Sequence, residues 1–224
     1  MSEAEPVTIE VEGSGEVSGL LLLPPKAKAL TVLAHGAGAG MRQRFLEATA
    51  QGLLKRGIGT LRYQFPYMEK GSKRPDRPPV AFATVRAAVA EAARLAPGMK
   101  LVAGGKSFGG RMTSGAEAEA HLAGVAGLAF LGFPLHPPGA PADTRAAHLS
   151  DVTIPMLFLQ GTKDEFAELD LLRPLVARLG ARATLHLVDS ADHSFHVPAK
   201  SGRKDAGVLD EILDVMAEWV ERLG

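Results

Sequence analysis

Gly105-Lys106-Ser107-Phe108-Gly109 is the stretch on which the reading of this chain turns. The apolar run at residues 101–104 before it reads as a strand, and residues from about 108 to 121 after it read as a helix. A G-x-S-x-G sequence between a strand and a helix puts its serine on a sharp, strained turn. Residues two before and two after the serine crowd the turn, and glycine at 105 and 109 relieves that crowding. The Ser107 hydroxyl is then expected to stand exposed at a helix N-terminus, whose dipole favours developing negative charge. In a chain with 25 glycines the string alone is weak, and its place between strand and helix is what gives it weight.

Two other glycine motifs suggest themselves and fail. Gly105-Lys106-Ser107 would close a phosphate-binding G-x-x-x-x-G-K-S loop only with glycine at 100, where Lys100 stands. The stretch His35-Gly36-Ala37-Gly38-Ala39-Gly40 invites a dinucleotide reading. G-x-G-x-x-G, however, ends on Met41 when started at Gly36 and on Gln43 when started at Gly38.

Working outward, short apolar runs alternate with helical patterns. Residues 7–11 and 17–23 read as an antiparallel opening pair, and residues 30–34, 59–63, 101–104, 125–131, 155–159 and 184–188 as further strands. Residues 45–54, 80–95, 168–179 and 206–223 have helical spacing, the last with two apolar columns led by Val208 and Leu209. Residues 66–79 read as a loop. Alternation of this kind predicts an α/β fold with a mostly parallel sheet and helices on both faces. Ligands then bind beyond the carboxyl ends of the strands, so the chemistry is expected in the connections that follow them.

Serine needs a base to take its proton, and histidine suits this near neutral pH. Among seven histidines, His193 in Asp192-His193-Ser194-Phe195 falls just past the last strand, with His196 its nearest competitor. His121 reads as helical, His186 as part of a strand, and His148 has no motif around it. A carboxylate must fix the tautomer of the imidazole. Asp164 follows a strand through Gln160-Gly161-Thr162-Lys163, with Glu165 as the alternative acid and helix capping as the alternative role for Asp164. The catalytic set is therefore Ser107, Asp164 and His193, separated by 57 (164 − 107) and 29 (193 − 164) residues. An oxyanion hole is expected from the backbone N–H of Phe108 and, in the turn after the strand at 30–34, of Ala37. His35 is expected to brace that turn. Tyr67 and His136 are the candidate substrate contacts.

At these residues the chain resembles the α/β-hydrolase superfamily, which shares the order Ser, Asp, His, over nearly its whole length. It is most similar to small lidless members of dienelactone-hydrolase type, including a KANL/Tex-like group. The likeness extends to Arg62-Tyr63-Gln64-Phe65-Pro66-Tyr67-Met68, to Gly132-Phe133-Pro134-Leu135-His136-Pro137-Pro138-Gly139 and to Gln160-Gly161-Thr162-Lys163-Asp164-Glu165-Phe166. It implies a twisted sheet of about eight strands and hydrolysis of ester or thioester bonds in a small acyl substrate. The elbow of dienelactone hydrolases carries cysteine where this chain has Ser107, which argues against dienelactone itself as substrate. Some relatives serve as protein-interaction domains, so the alternative is a binding or scaffold protein on the same fold.

Only 22 residues separate Leu131 from Ile154, too few for a helical cap domain, so an open site is expected. Lys70, Lys73, Arg74 and Arg77 in the 66–79 loop, with Arg42, Arg44 and Arg111 near strand ends, suggest attraction of an anionic group on the substrate. Net charge is zero, so no global field recruits nucleic acid or an anionic membrane. Cysteine is absent, which excludes disulfides, thiolate metal sites and a cysteine nucleophile. His193 and His196 lack an H-E-x-x-H pattern, so neither a metal nor another cofactor is expected. With no membrane-length apolar run and no basic, apolar leader at residues 1–6, residues 1–224 are expected to form one cytoplasmic domain of unspecified oligomeric state.

Overall fold

The computed structural model describes residues 3–224, so the first two residues of the N-terminal stretch lie outside it. The chain opens with strands β1 (Glu5–Val11), β2 (Gly15–Leu22) and β3 (Ala29–Ala34), followed by helix α1 (Arg44–Lys55) and β4 (Ile58–Tyr63). A one-turn helix α2 (Pro66–Glu69) and the long α3 (Pro78–Leu95) lead to β5 (Leu101–Lys106), α4 (Phe108–Glu119) and β6 (Val125–Leu131). The remainder is β7 (Met156–Gly161), α5 (Leu169–Leu179), β8 (Ala183–Val188) and α6 (Asp205–Arg222). All eight strands form one sheet in the order β1-β2-β4-β3-β5-β6-β7-β8. β1 pairs antiparallel with β2 and β2 with β4, and every other pairing is parallel.

The strands read as unbroken apolar runs because both faces are covered. Leu30, Val32 and Ala34 of β3 face a core shared with Val85 and Val89 of α3 and Met112 and Ala116 of α4. The alternate residues Ala29 and Leu33 face a second core with Leu53 of α1 and Val208, Ile212, Met216 and Trp219 of α6. Period-two alternation thus feeds two hydrophobic layers from one strand. Gly127 in β6 makes room for α6, since a Cβ there would lie 2.6 Å from Trp219 Cη2.

Several boundaries differ from the sequence reading, for local reasons. Pro78 and Pro79 lie in the first turn of α3 and not in the preceding loop, where the missing proline N–H goes unused in any case. The 66–79 segment also contains α2, which begins with Pro66. β5 continues through Gly105 and Lys106, so Ser107 follows the strand directly. α4 ends at Glu119, which leaves His121 beyond the helix. There the Glu117 carboxylate takes the His121 ring at 2.8 Å and the Leu122 N–H at 2.7 Å. Between β6 and β7 there is no cap domain, only loop and a 3-10 helix at Thr144–Asp151. No helix among the described residues is long and apolar enough to cross a membrane.

Candidate active site

Ser107 stands between β5 and α4 with φ 51° and ψ −115°, a backbone conformation that costs a side-chain-bearing residue energy. The turn is tight because β5 lies between β3 and β6 with no space to spare. A Cβ on Gly105 would lie 2.2 Å from the Ala34 carbonyl oxygen, and one on Gly109 would lie 2.6 Å from that of His35. Both glycines are required by close backbone approach, as the motif demands.

The three side chains singled out from the sequence meet in one hydrogen-bonded chain. Ser107 Oγ lies 2.9 Å from His193 Nε2, and His193 Nδ1 lies 2.7 Å from Asp164 Oδ2. A carboxylate only accepts, so Nδ1–H donates to Asp164 and leaves Nε2 to accept the serine proton. Asp164 is itself held from two sides. Its Oδ1 accepts the Phe166 N–H at 2.8 Å, and its Oδ2 also accepts from Gln160 Nε2 at 2.5 Å. Its side chain is fully buried, whereas that of His193 keeps 18% exposure. The relay therefore has a buried anionic end and an accessible nucleophilic end.

The loop bearing His193 is fastened by its own turn. Asp192 Oδ1 accepts the N–H of Ser194 at 2.8 Å and of His196 at 2.9 Å, and Phe195 takes a positive φ of 62°. Phe166 packs on the His193 ring at 4.3 Å. His196 faces away in an exposed ion pair with Asp205, 2.9 Å apart, whose carboxylate raises the histidine's pKa. It does not compete for Ser107. Glu165 is exposed, and the partner of His193 is Asp164.

The turn after β3 runs beside the nucleophile, since a Cβ on Gly36 would lie 3.9 Å from Ser107 Cβ. His35 braces this turn: Nδ1–H donates to Gly36 O at 2.8 Å and Nε2 accepts the Phe65 N–H at 3.1 Å. Burial pushes its pKa down, which keeps the ring neutral for both contacts. The Gly38 N–H donates to Tyr67 Oη at 2.9 Å and the Ala39 N–H to Gly36 O at 3.1 Å, while Ala37 between them is exposed. Phe108 opens α4, so its N–H has no acceptor within the helix.

Tyr67 and His136 sit differently from the substrate contacts the sequence suggested. Tyr67 is buried and uses its hydroxyl on Gly38, and its own N–H donates to Asp76 Oδ2 at 3.0 Å. His136 is buried too, with Nδ1 at 2.8 Å from Pro137 O. Both rings lie inside the loop walls and not on an open surface.

Two contacts escaped the sequence reading. Gln160 is the second side-chain partner of Asp164, and its Oε1 accepts the Phe133 N–H at 2.8 Å, tying the acid to the loop after β6. Its position four residues before the aspartate was the available signal. Buried Ser114 on α4 pairs with half-buried His148, Oγ to Nε2 at 2.7 Å. Arg111, one turn past Ser107, is half-buried, and its Nε has no hydrogen-bond partner. Its guanidinium carbon lies 5.9 Å from the Phe108 ring, and no carboxylate pairs with it among the described residues. A cavity of about 330 Å³ runs down α4 from Arg111, lined by Phe82, Met112, Gly115 and His148 and also by Glu119 and Asp151. No group of three or more His, Asp or Glu side chains among the described residues is placed to hold a metal ion.

An elbow serine at the carboxyl edge of a doubly covered parallel sheet defines the α/β-hydrolase fold class. The chain belongs to the α/β-hydrolase family, whose domain model matches residues 27–221. Solved structures agree on the fold. A dienelactone hydrolase from Anabaena variabilis superposes with TM-score 0.80 at 19% identity, over 99% of this chain and 98% of that one. A serine hydrolase without a lid from Xanthomonas campestris gives 0.72 at 20% identity, over 96% of each chain. Est1E from Butyrivibrio proteoclasticus gives 0.69 at 17% identity, over 96% of this chain and all of that one, 100%.

Proposed function

We propose that this protein is a serine hydrolase that cleaves ester or thioester bonds of a small acyl substrate through an acyl-enzyme. The observation that carries this reading is the continuous contact from Ser107 Oγ through His193 to the buried Asp164. As Ser107 Oγ attacks the substrate carbonyl, His193 Nε2 takes its proton, and Asp164 stabilises the imidazolium. The N–H groups of Phe108 and Ala37 receive the developing oxyanion, each worth about 3 kcal/mol in the transition state. His193 then protonates the leaving group, and a water deprotonated by the same ring releases the acyl group from Ser107.

The acyl group is proposed to carry an anionic end. Arg111 supports this: a half-buried guanidinium one turn from the nucleophile with no carboxylate of its own is a cation that still lacks a counter-charge. Tyr67 and His136 act in this reading as braces of the surrounding loops.

The test is labelling by a fluorophosphonate together with turnover of p-nitrophenyl esters and thioesters. Wild type should label at Ser107 and hydrolyse them, and Ser107→Ala should lose labelling and about 10⁴-fold or more in rate. Refusal of both probe and esters by folded wild type would sink the enzymatic reading and favour a binding protein on a hydrolase fold.

A further inference from the structure

Lys106 stands directly before Ser107, in surroundings where a lysine is costly. It is only 8% exposed, and no carboxylate lies within ion-pair distance of it among the described residues. Its Nζ donates instead to the main-chain oxygen of His193 at 2.6 Å and lies 5.8 Å from the centroid of the Phe195 ring. The strand of Lys106, β5, and the strand that leads to His193, β8, are not neighbours, since β6 and β7 lie between them. The side chain therefore reaches across the carboxyl edge of the sheet from the nucleophile's strand to the base's loop.

The charged and titratable groups that face Nζ are Asp164 after β7 and Asp192 and His193 after β8. The turn after β3 and the loop after β6 present glycines: a Cβ on Gly36 would lie 3.7 Å from Lys106 Cγ. One on Gly132 would lie 2.9 Å from Nζ and 3.4 Å from His193 Nδ1. Ammonium and imidazole thus border one small gap that only a residue without a side chain keeps open. Burial draws the Lys106 pKa down to about 8, against the upward pull of Asp164 and then Asp192, so the group is still a cation at neutral pH. A methionine would fill the same space without the cost of desolvating a charge.

Building on the serine-hydrolase reading, we propose that Lys106 is a positioning residue for the base: it fastens the His193 main chain to the nucleophile strand. The fastening matters because His193 sits on a loop, whereas Ser107 is set by a rigid strand and helix. A misplacement of about 1 Å between them is enough to cost roughly a hundredfold in rate.

The experiment compares wild type, Lys106→Met and Lys106→Gln by thermal melting, fluorophosphonate labelling rate, and kcat and KM. Lys106→Met should fold, label about tenfold to a hundredfold more slowly, and lose kcat with KM within about twofold. Lys106→Gln keeps a hydrogen-bond donor, so it should retain more kcat than Lys106→Met. A folded Lys106→Met with unchanged labelling and kcat overturns the proposal, as does a loss confined to KM. Failure of both variants to fold overturns it too, because the lysine would then serve the fold and not the base. If wild type itself neither labels nor turns over, it is the hydrolase reading that has failed.

Discussion

Gly109 stands so close to Ala34 that a Cβ on residue 109 would lie 2.6 Å from the Ala34 Cβ. The same atom would lie 2.6 Å from the His35 carbonyl oxygen, and neither neighbour can move without shifting β3. The first turn of α4 is thus pressed against the strand whose following turn carries Ala37, and the two proposed oxyanion donors are brought together by a missing methyl group. We expect Gly109→Ala to destabilise the protein by about 3 kcal/mol and to abolish fluorophosphonate labelling. Gly207→Ala, within α6 and with nothing within 4 Å, should instead stabilise it by roughly 0.5–1 kcal/mol. Urea unfolding of both variants checks the contrast, and equal effects would contradict it.

Asp164→Asn should leave the fold in place and lower kcat and kcat/KM together by roughly 10³–10⁴-fold. An amide facing Nδ1 can hold the ring in the wrong tautomer and cannot stabilise the imidazolium. The adjacent carboxylate offers the control. Glu165 is exposed, so Glu165→Gln should change turnover by less than about twofold. A larger loss from position 165 than from 164 would reassign the acid.

Arg111→Met should distinguish substrates by charge. For an ester whose acyl group ends in a carboxylate, kcat/KM should fall by about tenfold to a hundredfold, the worth of a hydrogen bond to a charged group. For the neutral ester of equal length it should stay within about twofold. Equal losses on both would mean that Arg111 only packs on Phe108.

His148 should make stability fall on acidification. Burial and then the nearby Arg111 push its pKa down to about 4, below the ordinary 6.5. A group depressed in the folded state stabilises fully above its unfolded pKa, and that contribution is lost as pH falls through the folded one. The window here runs from 6.5 down to about 4. The ring keeps a partly exposed edge, so its contribution should be no more than about 2 kcal/mol. Urea midpoints across this range should fall less steeply for His148→Gln than for wild type. The buried His35 retains a slope of the same sign in both.

What could be read along the chain was whatever is encoded by neighbours in sequence. The elbow glycines, the apolar runs of β3 to β7 and the bracing role of His35 follow from spacing and residue type within a few positions. So does the order of serine, acid and base after successive strands, because each strand of a parallel sheet delivers its following loop to the same edge. Asp164 was chosen in this way with Glu165 as the alternative, and the fold buries Asp164 and leaves Glu165 exposed. The burial of Tyr67 and His136, the support that Gln160 gives to Asp164, and the reach of Lys106 to the His193 loop were not legible either. Each depends on the lateral order β5-β6-β7-β8 and on how closely the loops above it pack. By itself the sequence determined which chemical groups arrive at the sheet's edge. Only the tertiary structure decided which of them touch, because contacts a few ångströms long between residues dozens of positions apart are set by packing and not by spacing.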